Sequence, residues 1–156
     1  MKICIFSDSH GYAGKMISAI GIENPDMCFF LGDGERDLAA VREQFPGLPF
    51  YAVKGNCDLR SKLSVALTCA VGGVSIFATH GHMYNVKYEP GLETLTYYAR
   101  EAGASVALFG HTHRQHLSEN DGVLLINPGP AGRSSYGCYA VLIIENGRYR
   151  ADLRAV

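Results

Sequence analysis

The sequence predicts an α/β fold, a layered αββα sandwich in which two mixed β-sheets are flanked by helices. Short apolar runs recur in the first two thirds of the chain and alternate with segments of helical periodicity. The runs lack polar alternation, which is typical of strands that are covered on both faces. The last third instead carries strand-like segments joined by hairpin turn signals. A β-α-β-α-β start followed by antiparallel hairpins fits two packed sheets with helices outside.

Five apolar runs, rich in Val, Ile and Phe, predict buried strands at 3–6, 27–31, 50–53, 76–78 and 106–109. Apolar residues at helical spacing predict three helices between the strands. Their core-facing positions are Met16, Ala19 and Ile20, then Leu38, Val41 and Phe45, then Leu92, Leu95 and Ala99. Pro46 ends the second helical pattern, and Gly103 is the expected C-cap of the third.

Three segments, at 123–127, 137–144 and 148–153, predict strands in the last third of the chain. Asn120-Asp121-Gly122 precedes the first of them and Asn146-Gly147 joins the other two, and both turn sequences favour hairpins. We therefore expect these strands to be antiparallel. The chain has no repeat, low-complexity tract or linker, so residues 1–156 are expected to form a single domain.

The composition favours a small ligand over a large charged partner. Of the 156 residues, 47% are apolar and 19% are charged, and the formal net charge is -1. A chain of this length can fold around one core without disulfides. No polybasic stretch indicates stable binding to nucleic acid or to a membrane surface. The sequence leaves homo-oligomerisation open.

The five cysteines indicate a reducing compartment. Their number is odd, no pair has C-x-x-C spacing, and four of them lie within apolar runs, where a reduced thiol behaves as a small hydrophobe. The apolar run that begins at Ile3 is too short for the core of a signal peptide, and no run reaches membrane-spanning length. We expect a cytoplasmic protein.

A short polar cluster follows each of the five predicted buried strands. The clusters are SDSH with Asp8 and His10, GDGE with Asp33, GNCD with Asn56, THGH with His80 and His82, and GHTH with His111 and His113. Ligands of open α/β sheets bind beyond the carboxyl ends of the strands, so these side chains are expected to converge on one edge. Five of the six histidines lie in the clusters and only His116 lies outside. Histidines with ordinary core or surface roles would be scattered along the chain, so this clustering indicates a shared site.

The residue types in the clusters indicate a metal site. Carboxylate, imidazole and amide oxygen are the ligands that suit Mn²⁺, Fe, Zn²⁺ or Ni²⁺. Seven candidate ligands are too many for one ion with an open position. Two ions about 3.5 to 4 Å apart that share a carboxylate are the usual arrangement for in-line displacement at phosphorus. The sequence therefore favours a dinuclear centre.

The motifs D-x-H, G-D, G-N, H-G-H and G-H-T-H, in this order, resemble those of the calcineurin-like metallophosphoesterase superfamily. The resemblance covers residues 8 to 113, and Asn127-Pro128-Gly129 resembles a later loop of the family. The short chain and the GNCD form are most similar to the small bacterial and archaeal phosphodiesterases. The resemblance implies one metal held by Asp8, His10, Asp33 and His113, and a second held by Asp33, Asn56, His80 and His111, with Asp33 bridging.

The resemblance further implies a divalent-metal-dependent phosphodiesterase that acts on a small phosphodiester or phosphate ester through a metal-activated hydroxide. Mn²⁺ is the ion expected first, with Ni²⁺, Fe, Zn²⁺ or Mg²⁺ as alternatives. A phosphomonoesterase or nucleotidase would use the same site. A non-catalytic scaffold is a further alternative, since the small retromer subunit resembles these proteins and serves mainly in assembly. The complete set of expected ligands favours the enzyme.

Cys57 is the departure from the family pattern, because many members carry a histidine at this position that is thought to contact the phosphoryl group or protonate the leaving oxygen. Two nearby cations would favour the thiolate, which cannot donate a proton. We therefore expect a preference for substrates whose leaving group needs little protonation, although a packing role or direct coordination by Cys57 stays open. His82 would supply the acid or contact phosphate, or else orient a metal ligand. Arg133, in the loop after Asn127-Pro128-Gly129, is a candidate phosphate contact or a solvated loop charge.

Overall fold

Ten strands and three helices follow one another along the described part of the chain, which is residues 1–132 and 137–156 of a computed structural model. The strands are β1 (Lys2–Phe6), β2 (Met27–Phe30), β3 (Phe50–Ala52), β4 (Ala66–Val71), β5 (Val74–Thr79), β6 (Val106–Leu108), β7 (Gln115–Asn120), β8 (Val123–Pro128), β9 (Cys138–Glu145) and β10 (Arg148–Ala155). The helices are α1 (Ala13–Glu23), α2 (Glu35–Gln44) and α3 (Glu93–Glu101). The predicted β-α-β-α-β start is confirmed.

The strands form two mixed sheets of five strands each. The first sheet has the order β10-β9-β1-β2-β3, in which β1, β2 and β3 run parallel and β9 and β10 run antiparallel to their neighbours. The second sheet has the order β4-β5-β6-β8-β7, with β5, β6 and β8 parallel between two antiparallel edge strands. Each sheet therefore has three parallel strands whose carboxyl ends lie along one edge.

The two sheets pack face to face and bury the largest apolar cluster between them. Ile5 and Phe29 from the first sheet and Ile76 and Leu108 from the second belong to this cluster and are fully buried. Helices α1 and α2 cover the outer face of the first sheet, and α3 covers the outer face of the second. The order of layers is helix, sheet, sheet, helix, so the predicted αββα sandwich is confirmed.

The structure adds to or corrects the strand predictions at three places. The segment around residues 50–53 was expected to be buried, but β3 is the edge of its sheet, and the Tyr51 side chain is 39% exposed. Strand β4 was not predicted, because Thr68 divides its apolar residues into two short runs. Strand β8 is antiparallel to β7, as expected, but its other neighbour is β6, to which it runs parallel.

The ends of α3 depend on two residues in the left-handed region. Leu92 was predicted to lie within the helix, but it is the N-cap, with φ 56°. Gly103 follows the C-cap with φ 68°, and its N–H donates to the Arg100 carbonyl at 2.8 Å, so the predicted glycine stop is confirmed. None of the described helices is both long enough and apolar enough to cross a membrane.

Candidate metal centre

The polar clusters lie where five of the six parallel strands end. Asp8 and His10 follow β1, Asp33 follows β2, and Asn56 follows β3. In the second sheet His80 and His82 follow β5, and His111 and His113 follow β6. Because the two sheets face each other, both edges contribute side chains to one place. We refer to the seven predicted ligands, Asp8, His10, Asp33, Asn56, His80, His111 and His113, as the candidate metal centre.

The backbone at five of these seven residues is in the left-handed region, with φ of 56° at Asp8, 44° at His10, 59° at Asp33, 66° at His111 and 56° at His113. Residues other than glycine seldom adopt this conformation, and each such residue costs about 1–3 kcal/mol unless its surroundings fix it. The strands end abruptly at these points and the chain turns at once. This conformation directs several side chains toward the shared edge.

Asp8, His10 and His113 form the first group of close ligand atoms. The distance from Asp8 Oδ1 to His113 Nε2 is 3.1 Å, and the distance between His10 Nε2 and His113 Nε2 is 3.2 Å. Atoms that share an ion at about 2.1 Å lie roughly 3.0–3.5 Å apart. The ligand atoms of these three residues all lie within 4.8 Å of one another. The spacing thus suits a shared cation.

Asp33 and His80 extend the centre from the first group. The distance from Asp33 Oδ2 to His80 Nε2 is 3.4 Å, and the distance from Asp33 Oδ2 to His10 Nε2 is 3.9 Å. The ligand atoms of Asp8, Asp33 and His80 form a second close group. His80 Nδ1 lies 2.7 Å from the Leu31 carbonyl oxygen, a contact that fixes the ring and leaves Nε2 directed at the carboxylates.

Two buried atoms of the centre make no hydrogen bond within the described residues. They are Asp8 Oδ1 and His80 Nε2, on side chains that are 0% exposed. A buried polar atom without a partner is costly, and it commonly marks a bound ion or water. The nitrogen and oxygen donors aimed at one point fit a divalent cation of the Mn²⁺, Fe or Zn²⁺ type.

Asn56 and His111 lie at the periphery of this arrangement. Asn56 is exposed and its amide nitrogen lies 3.4 Å from Cys57 Sγ. The His111 ring centroid is 5.1 Å from that of His80 and 6.1 Å from that of His82. His111 belongs to the same cluster of rings, although it is not among the groups whose ligand atoms lie within 4.8 Å of one another.

Cys57 is exposed, and its backbone N–H donates to Asp33 Oδ1 at 2.8 Å. Its sulfur, together with the ligand atoms of His10 and Asp33, forms a third close group. Burial and the negative charges of Asp33, Asp58 and Asp8 raise the pKa of the Cys57 thiol. In the ion-free chain the thiol form is therefore favoured, and the thiolate would depend on bound cations.

Local electrostatics bias the protonation of the centre. Burial alone would raise the pKa of Asp33, but the neighbouring His80 imidazole and the Cys57 N–H hold the pKa of this carboxyl well below its ordinary range. Burial, the Lys87 ammonium and the nearby His80 lower the pKa of His111 to about 4. Asp33 is thus ionised and His111 neutral at pH 7, which are the forms that bind metals.

The pKa of His82 is also lowered, by burial and by the positive charge of His80. Its Nδ1 is buried and makes no hydrogen bond within the described part of the chain. The His82 ring centroid lies 5.5 Å from that of His80. His82 therefore presents a neutral imidazole beside the centre.

Asp58, the last residue of the GNCD motif, was not predicted as a site residue. Its carboxylate accepts backbone N–H groups from four residues at 2.7 to 3.1 Å, namely Asp33, Gly34, Glu35 and Gly55. It therefore joins the turn after β2 to the turn after β3 and caps the start of α2. No local pattern indicates this contact, because the capped residues precede Asp58 by more than twenty positions.

Three further polar residues hold the loops of the centre. Ser7 Oγ donates to Asp8 Oδ2 at 2.7 Å, and the Asp37 carboxylate accepts the Ser9 hydroxyl. Asn127 Nδ2 donates to the Gly110 carbonyl at 2.8 Å. Asn127 therefore positions the GHTH loop. Its own segment, Asn127-Pro128-Gly129, is the one that resembles a later loop of the family. Arg133, the candidate phosphate contact, lies outside the described residues.

Position 55 requires glycine because its backbone lies very close to Asp33. A Cβ at this position would lie 2.0 Å from Asp33 Oδ1 and 2.5 Å from the Asp33 backbone nitrogen. A side chain there would displace the carboxylate that lies between the two groups of ligands.

The layered fold, with candidate nitrogen and oxygen ligands along one edge, is the arrangement found in the calcineurin-like phosphoesterase superfamily. The family model for the calcineurin-like phosphoesterase superfamily domain matches residues 1–147. The chain belongs to the calcineurin-like phosphoesterase superfamily.

Two curated relatives extend over most of the chain. The probable metallophosphoesterase YsnB of Bacillus subtilis is 35% identical over 153 residues, covering 94% of this chain and 86% of that protein. A phosphodiesterase of Methanocaldococcus jannaschii is 30% identical over 148 residues, covering 83% of each chain. The chain is therefore similar to small bacterial and archaeal members of the superfamily.

Solved structures with the same fold include proteins of two kinds. A conserved, predicted phosphoesterase of Streptococcus pneumoniae has a TM-score of 0.82 at 27% identity, covering 99% of this chain and 88% of that one. Wild-type Vps29 of Entamoeba histolytica, complexed with zinc, has a TM-score of 0.76 at 18% identity, covering 99% of each chain. The likeness to Vps29 concerns the fold alone.

Proposed function

We propose that this protein is a divalent-metal-dependent phosphodiesterase with a dinuclear centre. The observation that supports this most is the convergence of Asp8, Asp33 and three histidines from both sheets, with ligand atoms 3.1 to 3.9 Å apart and two of them buried without a hydrogen bond. Within the superfamily, the similarity to a named phosphodiesterase favours diesters as the substrate class.

Two sets of ligands follow from the arrangement. Asp8, His10, Asp33 and His113 would hold one ion. Asp33, Asn56, His80 and His111 would hold the second. The position of Asp33 Oδ2 between His10 and His80 supports its role as the shared ligand. The nitrogen and oxygen donors suit Mn²⁺ first, with Ni²⁺, Fe, Zn²⁺ and Mg²⁺ as alternatives.

The chain's own residues prepare the site for attack on phosphorus. Bound divalent ions would lower the pKa of water and offset charge on the phosphoryl oxygens. Asp58 and Asn127 hold the loops through backbone contacts, so the ligands need little rearrangement to bind. His80 is oriented by the Leu31 carbonyl. Such preorganisation is what electrostatic catalysis requires.

Cys57 would line the substrate side of the centre, where its exposed sulfur lies in a close group with His10 and Asp33. We infer that it offers no proton to the leaving group when ions are bound, because cations favour the thiolate. The close grouping also supports direct coordination by the sulfur. In either case substrates with a good leaving group would be preferred.

His82 would contact the phosphoryl group or the leaving oxygen, since its ring lies beside those of His80 and His111. The lowered pKa favours a neutral imidazole that donates a hydrogen bond. A small phosphodiester or phosphate ester is the expected partner.

The test is hydrolysis of bis(p-nitrophenyl) phosphate by metal-stripped protein to which Mn²⁺ is added back. Wild-type protein should turn over only with the metal. Asp33→Asn should lose at least 10²-fold in kcat, on the order of the loss of one electrostatic catalytic group. His116→Ala is the matched control, since His116 lies outside the clusters on the edge strand β7, and it should keep wild-type turnover.

Metal binding without turnover would favour the scaffold alternative instead. A solved relative by fold, Vps29, is described in complex with zinc, so metal binding by itself does not establish catalysis. Equal activity of Asp33→Asn and wild type would contradict the proposed centre. A phosphomonoesterase would instead hydrolyse p-nitrophenyl phosphate faster than the diester.

A further inference from the structure

A cavity of about 590 Å³ opens beside the candidate metal centre, along the start of α2. His10, Asp33 and Cys57 form the part of its wall that belongs to the centre or adjoins it. Sites for small ligands commonly measure about 300–1,000 Å³. The cavity therefore has room for the part of a substrate that extends beyond the phosphate under attack.

Two arginines line the same cavity. Arg36 is in the first turn of α2, and Arg60 follows the GNCD motif. Both are exposed, and neither guanidinium makes a hydrogen bond or an ion pair within the described residues. A guanidinium binds phosphate through two parallel hydrogen bonds, which makes arginine well suited to recognise a phosphate group.

Most of the acidic groups in the wall are already engaged. Asp33 belongs to the metal centre, Asp37 accepts a hydroxyl and the Gly11 N–H, and Asp58 accepts four backbone N–H groups. Glu35 is the remaining carboxylate of the wall, and it makes no side-chain hydrogen bond or ion pair within the described residues. The two guanidinium groups are thus the unpaired donors of this wall, and Glu35 is its one carboxylate whose oxygens accept no hydrogen bond within the described residues.

We propose that this cavity is an anion subsite that selects phosphodiesters carrying a second phosphate group, with Arg36 and Arg60 as the specificity-determining residues. The inference rests on the proposed phosphodiesterase function. A nucleotide diester with a terminal phosphate belongs to the substrate class that the subsite fits. The scissile phosphate lies at the metal centre, and the second phosphate lies between the two guanidinium groups.

The test compares two substrates that differ only in the second phosphate, namely thymidine 5′-(p-nitrophenyl phosphate) with and without a 3′-phosphate. With Mn²⁺-loaded wild-type protein, the 3′-phosphate should raise kcat/KM about 10-fold or more, mainly through a lower KM, as expected for a charge-assisted hydrogen bond. Arg36→Gln combined with Arg60→Gln should bring the ratio close to one. Glu35→Gln should increase the ratio, because a repelling charge is removed.

Arg148→Gln is the matched control. Arg148 is exposed and lies opposite Glu145 in the ladder of β9 and β10, at the end of the first sheet where β1 begins. The Arg148→Gln variant should keep the wild-type ratio. A wild-type ratio near one, with both substrates turned over, would overturn the subsite and leave the phosphodiesterase standing. A high ratio that survives in the double arginine variant would overturn the assignment to these arginines. No turnover of either substrate would overturn the proposed function and the subsite with it.

Discussion

At the scale of single residues, the candidate metal centre depends on side chains that are not themselves candidate ligands. Asp58 gathers four backbone N–H groups, and Asn127 holds the Gly110 carbonyl and the Thr112 hydroxyl. These contacts compensate for the left-handed backbone at the ligand positions. The positions of the ligands are thus determined by neighbours that are distant in sequence.

Replacing Asp58 by Ala should lower the free energy of unfolding by about 2–3 kcal/mol, because several backbone donors lose a charged acceptor. Asp58→Asn keeps one acceptor oxygen and should lose less. Urea denaturation of the metal-free protein measures the change. Glu43→Ala replaces an exposed carboxylate on α2 and should change stability by less than about 0.5 kcal/mol. Equal stability of the Asp58 and Glu43 variants would contradict the structural role of Asp58.

Replacing His82 by Ala should lower kcat/KM for phosphodiesters about 10-fold, because a hydrogen-bond donor beside the phosphoryl group is lost. The comparison uses bis(p-nitrophenyl) phosphate and an alkyl nitrophenyl diester. A larger loss with poor leaving groups would identify His82 as the proton donor. Unchanged turnover with an unchanged pH profile would show that His82 has no catalytic part.

At the scale of elements, a buried polar cluster joins α1 to the first sheet. Glu23 ends α1 and is only 5% exposed. It accepts the Tyr139 hydroxyl of β9 at 2.9 Å and pairs with Arg154 of β10 and Lys2 of β1. Burial would raise the pKa of Glu23, but the hydrogen bonds from Arg154 and Tyr139 lower it below its ordinary value. This cluster holds α1 on the strand that leads to Asp8.

Glu23→Gln should lower the free energy of unfolding at pH 7 by about 1–3 kcal/mol, part of the charge interaction being screened at the half-exposed Arg154 and Lys2. The folded pKa is depressed, so this contribution is present above the unfolded pKa of about 4.3 and is lost as pH falls through the folded pKa. Urea denaturation at pH 7 and near pH 3 measures the difference. Glu119→Gln on β7 is an exposed control. A constant difference across this pH range would contradict the prediction.

At the scale of the whole molecule, the centre exists only where the two sheets meet. Asp8, His10 and Asp33 come from the first sheet, and His80 and His113 come from the second. An ion bound by both sets would link the sheets at their shared edge. Metal binding should therefore stabilise the native state against unfolding of the entire sandwich.

Mn²⁺ at 100 times its Kd should stabilise the protein by about 2.7 kcal/mol, and a chelator should reverse the effect. Thermal or urea unfolding with and without the metal measures the shift. His113→Ala should lose most of it, and this half-exposed side chain can be removed without opening the core. His116→Ala should keep the full shift. An equal shift in the His113 and His116 variants would contradict the ligand assignment.

The sequence determined the alternation of strands and helices, the layered fold and the clusters that follow the strands. It did so because buried strands are apolar throughout, and because ligand residues placed after strand ends stand out against them. It missed β4, whose apolar run is interrupted by Thr68. It also missed the exposure of β3, because an apolar run does not reveal whether its strand lies at the centre or at the edge of a sheet. The sequence also gave no indication of the role of Asp58, the aspartate of the GNCD motif.

Only the tertiary structure decided which groups meet. Asp58 caps a turn more than twenty residues before it, and Arg36 and Arg60 line one cavity because the turns after β2 and β3 lie side by side. The physical reason is that sequence periodicity records which faces are buried, whereas hydrogen bonds and cavities depend on distances between elements that pack only in the folded chain. The sequence thus identified the types of the candidate ligands, and the packing of the two sheets set the distances between them.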